Sequence, residues 1–545
     1  MTRLPASVGL AVAVGLAMAL PVGVAPGTTA PATPEIVAVY PDPVATEDAG
    51  EFVVVSFPRE VNLSRWALSD GETTANLSRG SGRRASGRIA FSTAPARTRN
   101  LTDYRVFALA DHLSLANGGE TVRLRRASGD GRAVDIVTYP DATEGARWRP
   151  DADEWRPLGA TDRSVVRTDA RRARAFVLPD APGVPVETIR GADERILLAG
   201  YSFTSRRVAR ALVAARERGV DVRVLVDDGP VGGMSRREAS VLDFLTRRGV
   251  SVEVIGGERA RYEFHHAKYA VVDDRALVLT ENWKPAGTGG RASRGWGVVV
   301  RSDATAAELA EVFRADAGWR DTRPWKRFRR GRSFQPAEPA NGTYPSRFRP
   351  RSVPVRSVSV LTAPDNAESG VVSLLRSAND SVRVQQMTAG GPRQPFVQAT
   401  LSAARRGVEV RVLLGSAWYV EEENRRLVEW LNERANEEGL PLTARLADPR
   451  GYRKVHAKGL VVDGEHAVVG SLNWNNHSAR RNREVAVVLH GEEAASYYAR
   501  VFDADWRASG GGSRLPVGLA ATVAVGVAGA VWVARKEIRF TPTGR

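Results

Sequence analysis

The chain has no cysteine, which excludes disulfides, thiolate zinc sites, cysteine-ligated iron–sulfur clusters and cysteine nucleophiles. Histidine is scarce, with seven in 545 residues, so any that recur in matched surroundings carry weight. Acidic residues fall short of basic ones, 62 against 78, which leaves a net charge of +16 and a pI near 10.5. Such a balance suits nucleic acid or an anionic membrane surface. The excess is nearly all arginine, however, and a coding bias toward arginine produces that without any binding role. At 43% hydrophobic and 26% charged, the composition is that of a globular chain long enough for several domains.

Long apolar runs are confined to the two ends. Residues 1–30 carry one arginine, a small-residue apolar run over Ala6–Val24 and then a Pro/Gly/Thr/Ala segment. That is the pattern of a secretory signal or, alternatively, a retained N-terminal anchor. Leu515–Ala534 is uncharged and is expected to be a transmembrane helix, since about 20 apolar residues cross a hydrocarbon core of ~30 Å. Basic residues follow it at Arg535, Lys536 and Arg539. Positive flanks stay on the cytoplasmic side, so the expected location is a single-pass cell-membrane protein with its body extracellular. Asn-x-Ser/Thr sequons at Asn62, Asn76, Asn100, Asn341, Asn379 and Asn476 are compatible with that placement.

The chemistry-bearing stretch is Val455–Glu484. His456, Lys458 and Asp463 precede an apolar run that ends at Gly470-Ser471-Leu472-Asn473-Trp474. Alternation along a strand places His456 and Lys458 on one face, as an anion site with a nucleophile requires. The same order recurs over Phe264–Trp283 as His266, Lys268, Asp273 and Asn282, with His456 lying 190 residues after His266. Upstream, Ala211–Val226 parallels Thr400–Leu414. Internal duplication accounts for this better than chance.

The pattern His-x-Lys-x4-Asp followed by Gly-Ser-x-Asn resembles the signature of the phospholipase D superfamily. The resemblance implies a duplicated α/β fold of two pseudo-symmetric halves, with one site at their interface and no cofactor or metal. His266 and His456 would flank one phosphorus, one as nucleophile forming a phosphohistidine and the other as general acid. Lys268 and Lys458 would neutralise the non-bridging oxygens, while Asn282, Asn473 and Ser471 donate hydrogen bonds to them. Asp273 and Asp463 would be structural. Glu484 stands 28 residues after His456, where the family often has a glutamate that fixes the histidine tautomer. The first copy has Arg294-Gly295-Trp296-Gly297 there, and Leu279-Thr280-Glu281-Asn282 in place of Gly-Ser-x-Asn. Thr280 still offers a hydroxyl to substrate, but His266 is left without an evident orienter. Both assignments of nucleophile and acid therefore stay open, and an inactive duplicate that keeps only the fold is the alternative.

In chain order, residues 35–148 read as short strands of an all-β, immunoglobulin-like sandwich, with Trp66 and Tyr139 as core residues. Segments such as GEFVVVSF and LANGGETVRLR resemble the lamin-tail domain, which implies a binding or spacing module. A basic connector over 149–185 leads to a first α/β half, 186–320, and a second, 355–508. Between them, 321–354 mixes arginine, proline and aromatics. This reads as a surface arm whose Arg327, Arg329 and Arg330 would contact a phosphate backbone, or as a solvated linker pinned by its aromatics. Three functions compete: an extracellular nuclease, which the charge and accessory domain favour; a phospholipase D or phosphatidyltransferase acting on anionic phospholipid; and a non-catalytic surface-binding protein. Two motifs in one chain complete the site without a second copy, so a monomer is expected.

Overall fold

The computed structural model describes residues 33–43, 48–78, 80, 82–128, 131–257 and 260–510. The expected signal segment and the expected transmembrane stretch Leu515–Ala534 lie outside them. Among the described residues no helix is long and apolar enough to cross a membrane. The chain divides into two compact units, Met1–Arg156 and Pro157–Arg545.

The first unit holds two sheets. One has six strands in the order 154–157, 146–149, 35–40, 52–62, 84–92 and 105–108, and the other has four in the order 74–76, 66–69, 120–126 and 133–139. Alternation drives the packing: the strand ETVRLRR at 120–126 buries Val122 and Leu124 and leaves the residues between them less covered. Both sheets contribute to one core, Val53, Val55 and Phe91 from the first and Trp66, Leu68 and Leu124 from the second. Trp66 and Tyr139 are buried in it, and the Tyr139 hydroxyl donates to the Ala116 carbonyl at 3.0 Å. The unit extends past the expected limit at 148, because the strand 154–157 adds to the edge of the six-stranded sheet beside 146–149. The short strands 66–69 and 74–76 and the helix 95–101 were not anticipated by residue pattern.

The second unit contains two mixed sheets with a common plan. The first runs 251–255, 221–227, 195–200, 269–272, 275–279, 293–301, 172–178, and the second runs 442–446, 409–414, 381–386, 458–462, 466–470, 484–490, 357–363. In each, three parallel strands are followed by antiparallel ones. The strands YAVV at 269–272 and KGLVV at 458–462 are buried at every residue, as expected of strands covered on both faces. Amphipathic helices cover the outer faces. That at Arg206–Glu217 starts where the Ser205 hydroxyl accepts from the Val208 amide at 3.3 Å, and the chain leaves it through Gly219 at φ +98°.

The halves interlock, and two expected boundaries change as a result. The segment 149–185 is not a plain connector: 172–178 pairs with 293–301 in the first sheet, and 166–169 pairs with 357–360 in the second. The arm 321–354 is anchored at both ends, 322–324 pairing with 253–255 and 351–354 with 172–175. Trp325 and Phe328 enter the outer core of the first half, and the Trp325 indole N–H donates to Asp243 at 2.9 Å. Apolar side chains spaced between the arginines overcame the local charge. A central core joins the inner faces of both sheets with the helices 303–317 and 492–508 between them. Neither helix was among the elements expected.

Candidate active site

Each motif histidine hangs from the opposite half. The His266 amide donates to the Arg483 carbonyl and the His456 amide to the Arg294 carbonyl, both at 2.9 Å. These two arginines are fully buried and reach back across the interface. Arg483 Nε lies 3.1 Å from Asp316, while Arg294 Nε lies 3.0 Å from Asp505. Each has a second carboxylate partner, Asp365 at 2.9 Å for Arg483 and Asp180 for Arg294. Buried charges are tolerable only when paired in this way, so the same pairs that satisfy the arginines position the histidine backbones. Asp316, Asp505 and the arginines were not singled out from sequence. Their traces there are an Arg that precedes Gly295 in one copy and Glu484 in the other, and a repeated Val-Phe-x-Ala-Asp that ends at Asp316 and at Asp505.

Nδ1 of His266 lies 2.9 Å from both carboxylate oxygens of Glu484. This corrects the expectation that Glu484 serves its own copy's His456 and that His266 lacks an orienter: the carboxylate crosses the interface, because the strand starting at Glu484 runs beside His266. Asn482 also donates to Glu484 at 3.2 Å. Nδ1 of His456 is 3.0 Å from the Thr280 carbonyl and 3.4 Å from a Glu281 carboxylate oxygen. A carbonyl only accepts, so Nδ1 of His456 carries the hydrogen toward Thr280, with the Lys458 ammonium the more distant neighbour of that nitrogen at 3.3 Å. The place that matches Glu484 is Gly295, where a Cβ would meet Glu281 Cγ at 2.2 Å. Glu281 therefore fills from the adjacent strand the space that a glutamate at 295 would take. Sequence reading passed over it, although a glutamate opposite Leu472 and a glycine opposite Glu484 were both visible.

The lysines fold back on the motif. Lys268 donates to the His266 carbonyl and Lys458 to the His456 carbonyl, the latter at 2.9 Å. The side-chain oxygens of Asn282 and Asn473 are buried without a hydrogen-bond partner among the described residues. The matched amides are thus uncommitted within the protein. Two expected ligand donors are committed elsewhere. Ser471 Oγ accepts from the Val485 amide at 3.0 Å and Thr280 Oγ1 from the Trp296 amide at 2.9 Å, so both hydroxyls tie strands together instead of facing a substrate. Asp273 accepts from the amides of Asp193, Glu194 and Arg195 at 2.9–3.0 Å. Asp463 does the same for Asn379, Asp380 and Ser381 at 2.9–3.0 Å. Both sit at φ +53° and pin the turn before a parallel strand. Arg327, Arg329 and Arg330 are not brought to the histidines. They follow the edge strand 322–324 of the first sheet, are exposed, and Arg329 is paired with Asp243 at 2.7 Å.

Burial dominates the electrostatics. It pushes His266 down to about 3 against the pull of Glu484, and Lys268 adds to the depression. His456 is also held well below its ordinary range by burial and by Lys458, Lys454 and Lys268. Burial lowers Lys458 to about 8 although Glu281 and Glu484 oppose it, and raises Glu281 to about 7 against Lys458, Lys454 and Lys268. Lys268 falls for the same reason. Groups from both halves thus shift one another, as members of a single site do. Two imidazoles kept neutral by burial, each engaged at Nδ1, lie among lysines from both halves, which is the equipment for attack on an anionic phosphorus. Among the described residues no three of His, Asp and Glu converge to hold a metal ion.

Both halves resemble known proteins. Residues 186–317 and 371–506 match the family model described as cardiolipin synthase, PLD-like domain. No curated protein matches the chain. Similar solved structures include phosphatidylserine synthase of Haemophilus influenzae Rd KW20, at 14% identity, covering 63% of this chain and 88% of that one, with a TM-score of 0.49. Another is Nuc, a phospholipase D family member from Salmonella typhimurium, at 24% identity over 28% of this chain and 96% of that one, TM-score 0.25. NucT from Helicobacter pylori is 17% identical over 28% of this chain and 96% of that one, TM-score 0.24. With one PLD-like match on each half and both histidine motifs inside the matched residues, the chain belongs to the phospholipase D superfamily.

Proposed function

We propose that the chain is a phosphodiesterase that works through a phosphohistidine on His266, and that its substrate is nucleic acid. The observation that carries the reaction is the pair of crossed orienters, Glu484 on His266 and the Thr280 carbonyl with Glu281 on His456. With Nδ1–H held by Glu484, Nε2 of His266 attacks phosphorus. The ring becomes positive as the bond forms, and a buried carboxylate at 2.9 Å stabilises it. His456 faces a neutral carbonyl more closely than a carboxylate, so it suits the acid that gives its Nε2 proton to the leaving alkoxide and then takes one from the incoming water. The incoming phosphate supplies the negative charge that draws a proton onto it. Lys268, Lys458 and the amides of Asn282 and Asn473 would stabilise the non-bridging oxygens.

Nucleic acid is preferred to phospholipid on the basic net charge and on the β-sandwich of the first unit, whose lamin-tail-like segments suit a binding module. The proposed setting is extracellular, tethered to the cell membrane through Leu515–Ala534, as a monomer without a metal cofactor. The test is purified protein in EDTA, offered plasmid, single-stranded DNA and phosphatidylglycerol vesicles. DNA cleavage is expected. Lipid turnover without DNA cleavage overturns the substrate, and loss of all turnover in EDTA overturns the metal-free chemistry.

A further inference from the structure

Lysine is the rare base of this chain: there are six, against dozens of arginines, and four of them, Lys268, Lys284, Lys454 and Lys458, lie close enough together around the paired motifs to repel one another. Lys268 and Lys458 belong to the motifs. The other two do not: Lys454 precedes His456 by two residues and acts on it, while Lys284 acts on Lys268 and faces Lys454 and Glu238. Lys454, His456 and Lys458 alternate, so Lys454 lies on the motif face. Its ammonium donates to the Tyr419 hydroxyl at 3.0 Å. Lys284 follows Asn282 by two residues in a loop whose end is bound to the same strand, the Arg453 amide donating to the Ala292 carbonyl at 2.7 Å. Lys284 is half-buried and makes no ion pair among the described residues, although Glu238 pulls on it and Lys454 pushes against it. Holding a poorly compensated cation half-buried is costly, and an anionic ligand would relieve that cost.

The opposite mouth differs. The positions that match Lys454 and Lys284 are Phe264 and Asn475. There Tyr201 packs on His266 with ring centroids 4.6 Å apart, and Phe264 on Tyr201 at 5.6 Å. Both sides carry aromatics, since Tyr419 lies under the Lys454 ammonium at 5.1 Å with Trp418 against it at 5.6 Å, but Lys454 has no cationic counterpart at Phe264.

We propose that Lys284 and Lys454 form a second anion subsite, which takes the phosphate adjacent to the scissile one in a polynucleotide while the Tyr201–Phe264 wall receives a base. The aromatic wall is what favours a nucleotide over a lipid headgroup. The subsite rests on the phosphodiesterase reading of the same site, but the two can fail separately. Turnover of bis(p-nitrophenyl) phosphate by the wild-type chain tests the reading, and a binding ratio tests the subsite. In the full chain carrying His266→Asn to prevent turnover, the affinities of thymidine dinucleotide without a terminal phosphate, with a 5′-phosphate and with a 3′-phosphate are measured by calorimetry. One phosphorylated form is expected to bind about tenfold more tightly than the unphosphorylated one. Lys284→Met with Lys454→Met, which keeps bulk and removes charge, is expected to abolish that preference, and Lys284→Arg with Lys454→Arg to retain it. Equal affinity for the three dinucleotides overturns the subsite, whether or not phosphatidylglycerol vesicles bind. A preference that survives the methionine variant also overturns it, by assigning the effect to overall positive charge.

Discussion

The two halves of the site solve the same packing problem with the bulk placed on opposite strands. In the second half Gly470 faces Ala486 across the strand pair, and a Cβ at Gly470 would meet the Ala486 Cα at 2.3 Å. In the first half Leu279 faces Gly297, and a Cβ at Gly297 would meet Leu279 Cδ2 at 2.9 Å. The carboxylates follow the same rule: Glu484 beside Leu472 in one half, Gly295 beside Glu281 in the other. Departures from the motif that look like decay in the first copy are thus paired replacements. They leave the two histidines with unequal partners, a carboxylate gripping one by both oxygens and a carbonyl with a more distant carboxylate holding the other.

The largest effects should come from the histidines, and they should be unequal. His266→Ala is expected to lower the burst rate about 10³-fold on DNA and on bis(p-nitrophenyl) phosphate alike, since it removes the nucleophile. His456→Ala should cost about 10³-fold on DNA but only about tenfold on the aryl ester, whose leaving group needs little protonation. Equal losses on both substrates would break the comparison. Next, Glu484→Gln is expected to lower kcat about 10²-fold, because it destabilises the charged ring, and Glu281→Gln about tenfold, because the Thr280 carbonyl still holds Nδ1–H. Gly295→Glu alone should be poorly folded through its clash with Glu281. Glu281→Leu with Gly295→Glu, which rebuilds the second half's arrangement in the first, should restore folding and most activity.

Stability offers a symmetric counterpart. Arg483→Ala and Arg294→Ala each strand two buried carboxylates, and each is expected to cost about 3–5 kcal/mol in urea unfolding. A change under about 1 kcal/mol in either would mean that the interface does not depend on these pairs. The smallest effect is on pH dependence. Burial lowers Lys458 to about 8, so kcat/KM should fall as the pH rises through that value and the ammonium is lost. Lys458→Arg should move this limb upward, because a guanidinium stays charged there.

Much of this was legible in residue order. The two motifs, the duplication and the α/β plan of both halves follow from spacing and apolar period, and most of the strands and outer helices of the second unit fall within the expected halves. What was not legible depends on contacts between halves. Glu484 was paired with the wrong histidine because proximity in sequence is a poor guide across an interface that exchanges strands. Glu281 was missed because its role exists only where Gly295 leaves room. The helices 303–317 and 492–508 are a different case, because each carries an exposed stripe at helical spacing, Ala307, Glu311 and Arg314 in one and Glu493, Ser496 and Arg500 in the other, and was legible in the pattern. For the arm over 321–354 the alternative of a linker pinned by its aromatics fits at its start, where Trp325 and Phe328 are buried, whereas its arginines gave no sign of the strand pairings at 322–324 and 351–354.

The most direct test of the crossed arrangement is alkaline-quench mapping, since the N–P bond is acid-labile, of the p-nitrophenyl phosphoryl group trapped on the wild-type chain during turnover of bis(p-nitrophenyl) phosphate, with peptides read by mass spectrometry. The adduct on His266, with markedly less of it in Glu484→Gln, is the predicted result. The adduct on His456, or on His266 at a level that Glu484→Gln leaves unchanged, would contradict it.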